Sequence, residues 1–271
     1  SEVKALGYEI VPIDINYATD SWAILDGKKF MPSFSSCKGI GDAAIHEIIT
    51  LRNKQKGKQF TTVESIMFDK DMVWQLSKFN KKAMEALVNI KAFESMGIVG
   101  FSRQFGNYNH MREALIPGWQ KWKKRLKSDP KRGYSDMVES IESTAGTPPF
   151  TRKEIIKNEM NHLGSVSIET LIPPRYIERF NEEQWLPVDE FDNPNKPYWF
   201  VVVQAVKKKT KTGRHYLRLK IMGSNGKQYW CNCWGWNGID EIEPYTVCVG
   251  YISENSFGKS TKWSKVEIFL G

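Results

Sequence analysis

Apolar residues in the first half of the chain recur mainly at the three- and four-residue spacing of amphipathic helices. This periodicity predicts helices over residues 42–49, 62–68, 71–79, 81–89 and 152–163, and the end of another helix over residues 2–6. Before the first of these complete helices, Asp26 and Gly27 form a turn signal between two short strands, over residues 22–25 and 29–34. From Pro117 the chain becomes irregular and basic.

After Pro197 the pattern changes to short runs rich in β-branched and aromatic residues. These runs predict five strands, over residues 198–206, 216–222, 228–234, 246–253 and 263–270. No helical pattern is long enough to cover them, so a small closed barrel is the expected architecture, since closure removes exposed strand edges. The predicted fold class is multidomain α+β, a mainly helical region followed by an all-β five-stranded barrel.

The charge of the chain narrows the choice of partners. The formal net charge is +8, and 13% of the residues are aromatic. An excess of lysine and arginine favours a polyanion, either nucleic acid or an anionic membrane. No apolar run approaches the roughly 20 residues that a membrane span requires, and no signal peptide is visible. We therefore expect a nucleic-acid partner and no membrane.

The four cysteines do not form the paired array that is typical of zinc sites. Cys231 and Cys233 are close in sequence, and His215 and Cys248 could complete a zinc site with them. The alternative, which we prefer, is that all four, including Cys37, are buried thiols. Reduced thiols predict a reducing compartment, and the expected location is the cytoplasm.

A glycine-rich turn directly before the helix predicted at residue 42 is the first candidate site. Glycine permits positive φ angles and a close approach of the backbone to a ligand. The first N–H groups of the following helix are unsatisfied and carry partial positive charge, so they can bind a phosphate. The predicted duplex-binding residues are Lys38, Gly39, Ile40, Gly41, Asp42, Ala43, Lys81 and Lys82. Contacts of this kind address the DNA backbone and bind any sequence. A plain helix-entry turn is the alternative.

A second candidate site lies on the first hairpin of the predicted barrel. Cationic and aromatic residues together suit single-stranded nucleic acid, because lysines bind the backbone and flat rings stack on unpaired bases. The predicted residues are Lys207, Lys208, Lys209, Lys211, Arg214, Tyr216, Arg218 and Trp230. Neighbouring residues in a strand point to opposite faces, so only some of the aromatic side chains can be exposed. A solvated loop is the alternative for the lysines.

Three motifs follow one another in the first half of the chain: VPIDIN at residues 11–16, KGIG at 38–41 and FNKKAMEALVNIKAFESMG at 79–97. They resemble, in the same order, the motifs LPPDVN, IKGVGE and LNKRALEALIKAGAFDSLG of family C replicative DNA polymerases, the bacterial DNA polymerase III alpha subunits. Two features depart from the family: Lys91 stands where the second hairpin usually carries glycine, and a Gly-His-Pro after the helix ending at residue 163 is missing. The departures suggest a divergent member, and a phage genome is one source that would fit them.

The resemblance implies a division into four regions. Residues 1–34 would be the tail of a fingers domain, 35–116 a tandem helix-hairpin-helix domain, 117–196 a connector and 197–271 an OB-fold domain. The implied partners are primer–template duplex DNA, single-stranded template and the remaining polymerase domains.

The same resemblance bears on catalysis and on a sliding clamp. The family's catalytic aspartates and their magnesium ions belong to a palm domain upstream of the matched region, so we expect no catalysis and no cofactor in this chain. Asp69 and Asp71 form the only Asp-x-Asp spacing, and we interpret them as helix caps. Residues Tyr134, Ser135, Asp136, Met137 and Val138 lie where the family carries a clamp-binding peptide, but its Gln and Phe are both replaced. An ordinary helix start is the alternative for this segment.

Two other hypotheses compete with a polymerase fragment. One is a stand-alone nucleic-acid-binding accessory protein of replication or repair, against which residues 1–34 argue because they read as the end of a larger domain. The other is an enzyme that uses zinc bound by Cys231, Cys233 and His215.

Overall fold

The computed structural model describes residues 7–98, 104–256 and 258–270. The chain divides into two compact units, Ser1–Val166 and Ser167–Gly271, which we call the helical unit and the sheet unit. The helical unit thus includes much of the stretch that the sequence assigned to a connector. The helix end predicted over residues 2–6 lies outside the described residues.

A three-stranded sheet opens the helical unit. Its strands are β1 (Glu9–Ile10), β2 (Ala23–Leu25) and β3 (Lys29–Met31), in the order β1-β3-β2. Asp26 and Gly27 both have positive φ, 49° and 71°. These angles match a tight hairpin turn, and the predicted Asp-Gly hairpin is confirmed.

Seven α-helices follow in the described part of this unit. They are α1 (Asp42–Lys54), α2 (Val63–Met67), α3 (Lys81–Asn89), α4 (Tyr108–Leu115), α5 (Trp119–Ser128), α6 (Pro130–Ser143) and α7 (Arg152–Leu163). Five of them begin at a side chain that accepts a hydrogen bond from the first turn: Thr62, Asn80, Asn107, Asp129 and Thr151. Their apolar faces form one hydrophobic core that extends from Ile13 to Phe150.

The helix predicted over residues 71–79 is wrong, and so is the interpretation of Asp69 as a helix cap. Asp69 accepts hydrogen bonds from the backbone N–H groups of Asp71 and Val73, both at 2.9 Å, and thereby closes a turn. Phe68 then pairs with Trp74 in an isolated bridge. The hydrogen bonds from the backbone to the Asp69 side chain stabilise a turn here, although the apolar spacing is typical of a helix. Aspartate side chains commonly stabilise turns in this way.

The sheet unit starts with two helices and continues as a curled, mixed sheet. The helices are α8 (Ile168–Leu171) and α9 (Pro174–Glu182). The strands are β4 (Leu186–Pro187), β5 (Pro197–Lys209), β6 (His215–Met222), β7 (Gln228–Trp234), β8 (Thr246–Tyr251), β9 (Ser253–Asn255), β10 (Gly258–Lys262) and β11 (Val266–Leu270). Their order is β11-β8-β5-β6-β7-β10-β9, with β4 beside β5. The β10–β7 and β4–β5 pairs are parallel, and the other neighbours are antiparallel.

The predicted order, a helical region followed by a β-region, is confirmed, but the strand count at the end of the chain differs. The single strand predicted over residues 263–270 is a 3-10 turn at Trp263–Lys265 followed by β11, and β10 precedes it. Polar residues point inward along β10. Lys259 is 8% exposed and Thr261 is 3% exposed. Hydrophobic alternation could therefore not predict this strand. The closed five-stranded barrel stays a prediction.

Candidate nucleic-acid interface

Hairpin 1, which we define as residues 37–43 and which includes the first two residues of α1, is held by the end of α7. The backbone N–H of Lys38 donates to the carbonyl oxygen of His162 at 2.7 Å. The ring of His162 donates from Nδ1 to the carbonyl oxygen of Lys38 at 2.9 Å. Both backbone groups of Lys38 are therefore fixed, and its exposed side chain extends from an anchored position.

The two glycines of hairpin 1 have different roles. Gly39 has a φ of +113°, and a Cβ added there would lie 3.2 Å from Cβ of Ala86 on α3. It therefore permits both a left-handed backbone and close packing. Gly41 is the extended N-cap of α1, with a φ of −90°. A Cβ added at Gly41 meets nothing within 4 Å. Of the two glycines, Gly41 is therefore the one with open space next to its backbone.

Hairpin 1 presents unsatisfied donors to solvent. Within the described residues, the backbone N–H groups of Gly39, Gly41, Asp42 and Ala43 donate no hydrogen bond. Gly41, Asp42 and Ala43 are exposed. The side chain of Ile40 is buried and attaches the turn to the hydrophobic core. Adjacent free donors at the start of a 13-residue helix can bind one anionic oxygen group. The exposed carboxylate of Asp42 opposes that binding by its charge.

The structure brings Lys82 to hairpin 1. Its Cε lies 3.8 Å from the position of a Cβ at Gly39, so the lysine stem runs alongside the turn. Lys81 and Lys82 also line a shallow groove with Asn80, Glu85 and Gln120. Lys82 therefore lies beside Gly39 and Lys81 shares the groove with Lys82, whereas the side chain of Ile40 is buried.

Hairpin 2, which we define as residues 89–93, has its donors occupied. The N–H groups of Lys91 and Ala92 donate to the carbonyl oxygens of Val88 and Leu87, at 3.1 and 2.9 Å. This pair of bonds is a Schellman motif with Lys91 at C′, where φ is +59°. The two hairpins therefore differ: hairpin 1 has free N–H groups, whereas those of hairpin 2 are bonded internally.

An internal carboxylate also occupies the helical turn that follows hairpin 2. Asp14 accepts from the N–H of Ser95 at 2.9 Å and from its hydroxyl group. Asp14 is itself buried, and the guanidinium of the buried Arg52 interacts electrostatically with it. The N–H of Ser95 therefore has an internal carboxylate partner and is not free to bind a phosphate. The polar residues of the VPIDIN motif are structural, since Asn16 also holds the backbone of Phe60.

In the sheet unit, one outward face carries a row of cationic and aromatic side chains, which we call the platform face. Cross-strand pairing places Lys208 opposite Tyr216, Tyr216 opposite Trp234, and Lys220 opposite Trp230. Parallel pairing on β10 adds Lys262 beside Trp234. The platform face thus consists of Lys208, Tyr216, Arg218, Lys220, Trp230, Trp234 and Lys262. The sequence missed Lys262 because it lies on the unpredicted strand β10.

The rings of the platform face are held in place and remain accessible. The guanidinium of Arg218 lies 4.7 Å from the centroid of Trp230, and the rings of Tyr216 and Trp234 are 4.5 Å apart. Trp230 and Trp234 are 42% and 40% exposed. Exposure of this extent is unusual for tryptophan in a well-packed sheet, and it suits stacking on unpaired bases.

The remaining predicted residues of the first barrel hairpin do not join the platform face. Lys207 points to the opposite side of β5, where it forms an ion pair with Glu241 at 2.8 Å and lies over Trp236. Lys209 shares that side of β5 with Lys207. Lys211 and Arg214 are exposed in the turn between β5 and β6.

Comparison with known proteins supports the resemblance that the three sequence motifs indicate. Residues 7–104 match the helix-hairpin-helix motif family, and this stretch contains both hairpins. The DNA polymerase III subunit alpha of Haemophilus influenzae is 26% identical to this chain over 171 residues. The chain is similar to part of the DNA polymerase III alpha subunit. The resemblance that the three motifs predicted is confirmed.

The match covers 60% of this chain but only 14% of the polymerase subunit. The chain therefore corresponds to a small segment of that relative. DNA binding is the property that both comparisons suggest, and a helix-hairpin-helix domain is not itself catalytic. No helix among the described residues is long and apolar enough to cross a membrane.

The segment at the place of the polymerase family's clamp-binding peptide is part of helix α6. Met137 is fully buried, and the hydroxyl of Tyr134 donates to Glu64 at 2.7 Å. Asp136 forms ion pairs with Arg125 and Arg132. In this conformation only Ser135 of the five residues is exposed, so the segment does not present its apolar side chains at the surface.

The cysteines lie in apolar surroundings. Burial raises the pKa of Cys37, Cys231, Cys233 and Cys248 to about 12 in each case. A thiolate is the form that binds zinc, so these surroundings disfavour metal binding at the thiols. His215 is exposed, with its ring against Trp236. Among the described residues, no group of three or more His, Cys, Asp or Glu side chains converges.

Lys91 occupies a position that the polymerase family usually gives to glycine, and this predicts a stability change. Lys91→Gly should raise the free energy of unfolding by about 0.5–1 kcal/mol, because a lysine at φ +59° is strained and glycine is not. Denaturant titration measures the change. Lys91→Ala is the matched control: it removes the same side chain but keeps the strain, so it should not stabilise. A Lys91→Gly protein no more stable than Lys91→Ala would contradict the assignment of strain.

Proposed function

We propose that the helical unit binds the backbone of duplex DNA through hairpin 1, without regard to sequence. The observation that supports this most strongly is the set of four free N–H groups beside an open Gly41, with Lys38 and Lys82 alongside. Donors of this kind recognise phosphate and carry no information about base identity. A replicative polymerase needs that property in the duplex that it holds.

We further propose that the platform face binds single-stranded DNA, as an OB-fold does. Two observations support this. The pairing of β10 with β7 adds Lys262 to the platform face, and the rings of Trp230 and Trp234 are exposed on it. The sheet presents charges for phosphates and flat faces for unpaired bases on the same side. In the parent polymerase this strand would be the template.

The place of this chain in a larger assembly follows as part of the same proposal. Nucleotidyl transfer and its magnesium ions would reside in other polymerase domains in the cytoplasm, with this segment holding the DNA beside them. Binding of a sliding clamp through residues 134–138 would require helix α6 to rearrange. A stand-alone accessory protein with the same two DNA surfaces is the alternative, and it would bind DNA equally well without any polymerase domain.

Titration with labelled duplexes tests the duplex-binding proposal. Two 20-base-pair duplexes of unrelated sequence should bind with equal affinity, and that affinity should fall steeply as salt rises from 50 to 200 mM. Each phosphate contact contributes a slope of about 0.9 in log affinity against log salt. Salt-independent binding, or a clear preference for one duplex, would contradict the proposal.

A further inference from the structure

Helix α5 carries a cluster of positively charged residues that are not part of the proposed phosphate site at hairpin 1. Its ten residues include five cations and no carboxylate. Arg125 is neutralised by Asp136 at 2.8 Å. Among the described residues, the four lysines of α5 form no ion pair; they are Lys121, Lys123, Lys124 and Lys127.

Packing fixes the direction in which these lysines point. Trp119, Trp122 and Leu126 are buried in the core, so the opposite side of α5 faces solvent. Gln120, Lys124 and Lys127 follow the spacing i, i+4 and i+7, and they therefore share one side of the helix. The rise of 1.5 Å per residue separates Lys124 and Lys127 by about 4.5 Å along the axis.

That side of α5 continues the surface of hairpin 1. Gln120 lines the groove with Asn80, Lys81 and Lys82, and the stem of Lys82 also runs alongside Gly39. All these residues belong to the helical unit. Among the described residues, Glu85 is the only carboxylate that lines the groove, against two lysines. A positively charged surface therefore extends from hairpin 1 across the start of α3 to α5.

We propose that Lys124 and Lys127 on α5 form a second contact with the backbone of the same DNA duplex. The inference rests on the proposed function of hairpin 1 and adds a binding surface to it. Hairpin 2 has no free donors to supply a second contact, because its N–H groups are bonded internally and Asp14 occupies the following turn. The flexible ammonium groups of lysine reach phosphates without reading bases, so this contact is also independent of sequence.

Charge reversal on α5 tests the proposal. Lys124→Glu/Lys127→Glu should lower the affinity for a 20-base-pair duplex at least about tenfold at 0.1 M salt. The milder Lys124→Gln/Lys127→Gln should reduce the salt slope by about 2, because two phosphate contacts are lost. Both lysines are outside the core, so circular dichroism should show an unchanged fold.

A matched control separates a local contact from a change in net charge. Lys28→Glu/Lys29→Glu alters the charge by the same amount at two exposed lysines next to the β2–β3 turn. It should change the affinity much less than the α5 reversal. Equal losses in the two reversal variants, or a Gln variant with an unchanged salt slope, would overturn the α5 contact.

The outcome also distinguishes this proposal from the one that it rests on. If a hairpin 1 variant such as Gly41→Val loses affinity while the α5 variants keep it, only the α5 contact fails. If Gly41→Val keeps full affinity, the proposed function of hairpin 1 fails instead. Affinity that depends on the α5 lysines alone would assign duplex binding to α5 rather than to hairpin 1.

Discussion

Gly41→Val should weaken duplex binding by about tenfold at 0.1 M salt while the chain stays folded. The backbone at Gly41 is extended, and a Cβ there meets nothing within 4 Å, so the folded protein has room for the new side chain. The branched side chain would instead fill the space that a phosphate needs in order to reach the free N–H groups of α1. Loss of one backbone contact corresponds to roughly this factor.

Anisotropy of a labelled duplex measures the loss, with circular dichroism as the check on folding. Gly106→Val is the matched control, since Gly106 is an exposed glycine beside the start of α4, with only His110 Nδ1 within 4 Å of its Cβ position. Gly41→Ala should fall between the wild type and Gly41→Val. Equal affinity of Gly41→Val and Gly106→Val would place the phosphate contact away from hairpin 1.

Trp230→Ala should weaken binding to oligo-dT by roughly 5- to 150-fold, the equivalent of 1–3 kcal/mol for one stacked base. Its affinity for duplex DNA should change little, because bases in a duplex are already stacked on each other. Trp234→Ala should act in the same direction, and binding of oligo-dT to the wild type should quench tryptophan fluorescence.

Tyr251→Ala is the control for the platform face. Tyr251 is 40% exposed on β8, and its ring packs against Lys265, which is not a residue of the platform face. Its replacement should leave the affinity for oligo-dT unchanged. If Trp230→Ala and Trp234→Ala also leave it unchanged, the platform face does not bind single strands, and a protein-docking role for the sheet unit becomes the better account.

Only part of the helical half of the chain was predicted from its sequence. Helices α4, α5 and α6 were not predicted, and the stretch after Pro117 that was expected to be irregular contains α5 and α6. Helix α3 begins and ends at the predicted residues, and the Asp-Gly turn forms where it was expected. Prediction from apolar periodicity failed where side chains form hydrogen bonds with the backbone. Asp69 turns a helical pattern into a closed turn, and Asp14 occupies the donors after hairpin 2 through a contact 81 residues away in sequence. No local periodicity encodes a contact at that separation.

The sequence predicted most strands of the sheet half, but it did not predict which face of β5 each side chain occupies. Tyr198, Phe200 and Val202 point into the core, and simple alternation would then turn Lys208 inward. An irregularity between Val202 and Gln204 inserts one residue and reverses the alternation. Lys208 therefore joins the platform face, whereas Lys207 turns toward Glu241. A bulge of this kind leaves no mark in the composition of the strand.

The central claim is that the free N–H groups of hairpin 1 bind a DNA phosphate, and amide chemical shifts test it most directly. Titrating the deuterated, ¹⁵N-labelled protein with a short duplex should shift the amide signals of Gly39, Gly41, Asp42 and Ala43 most strongly within the helix-hairpin-helix region. The amides of Lys91, Ala92 and Ser95 are bonded internally and should stay in place. Strong shifts at these three amides, with hairpin 1 unchanged, would contradict the account.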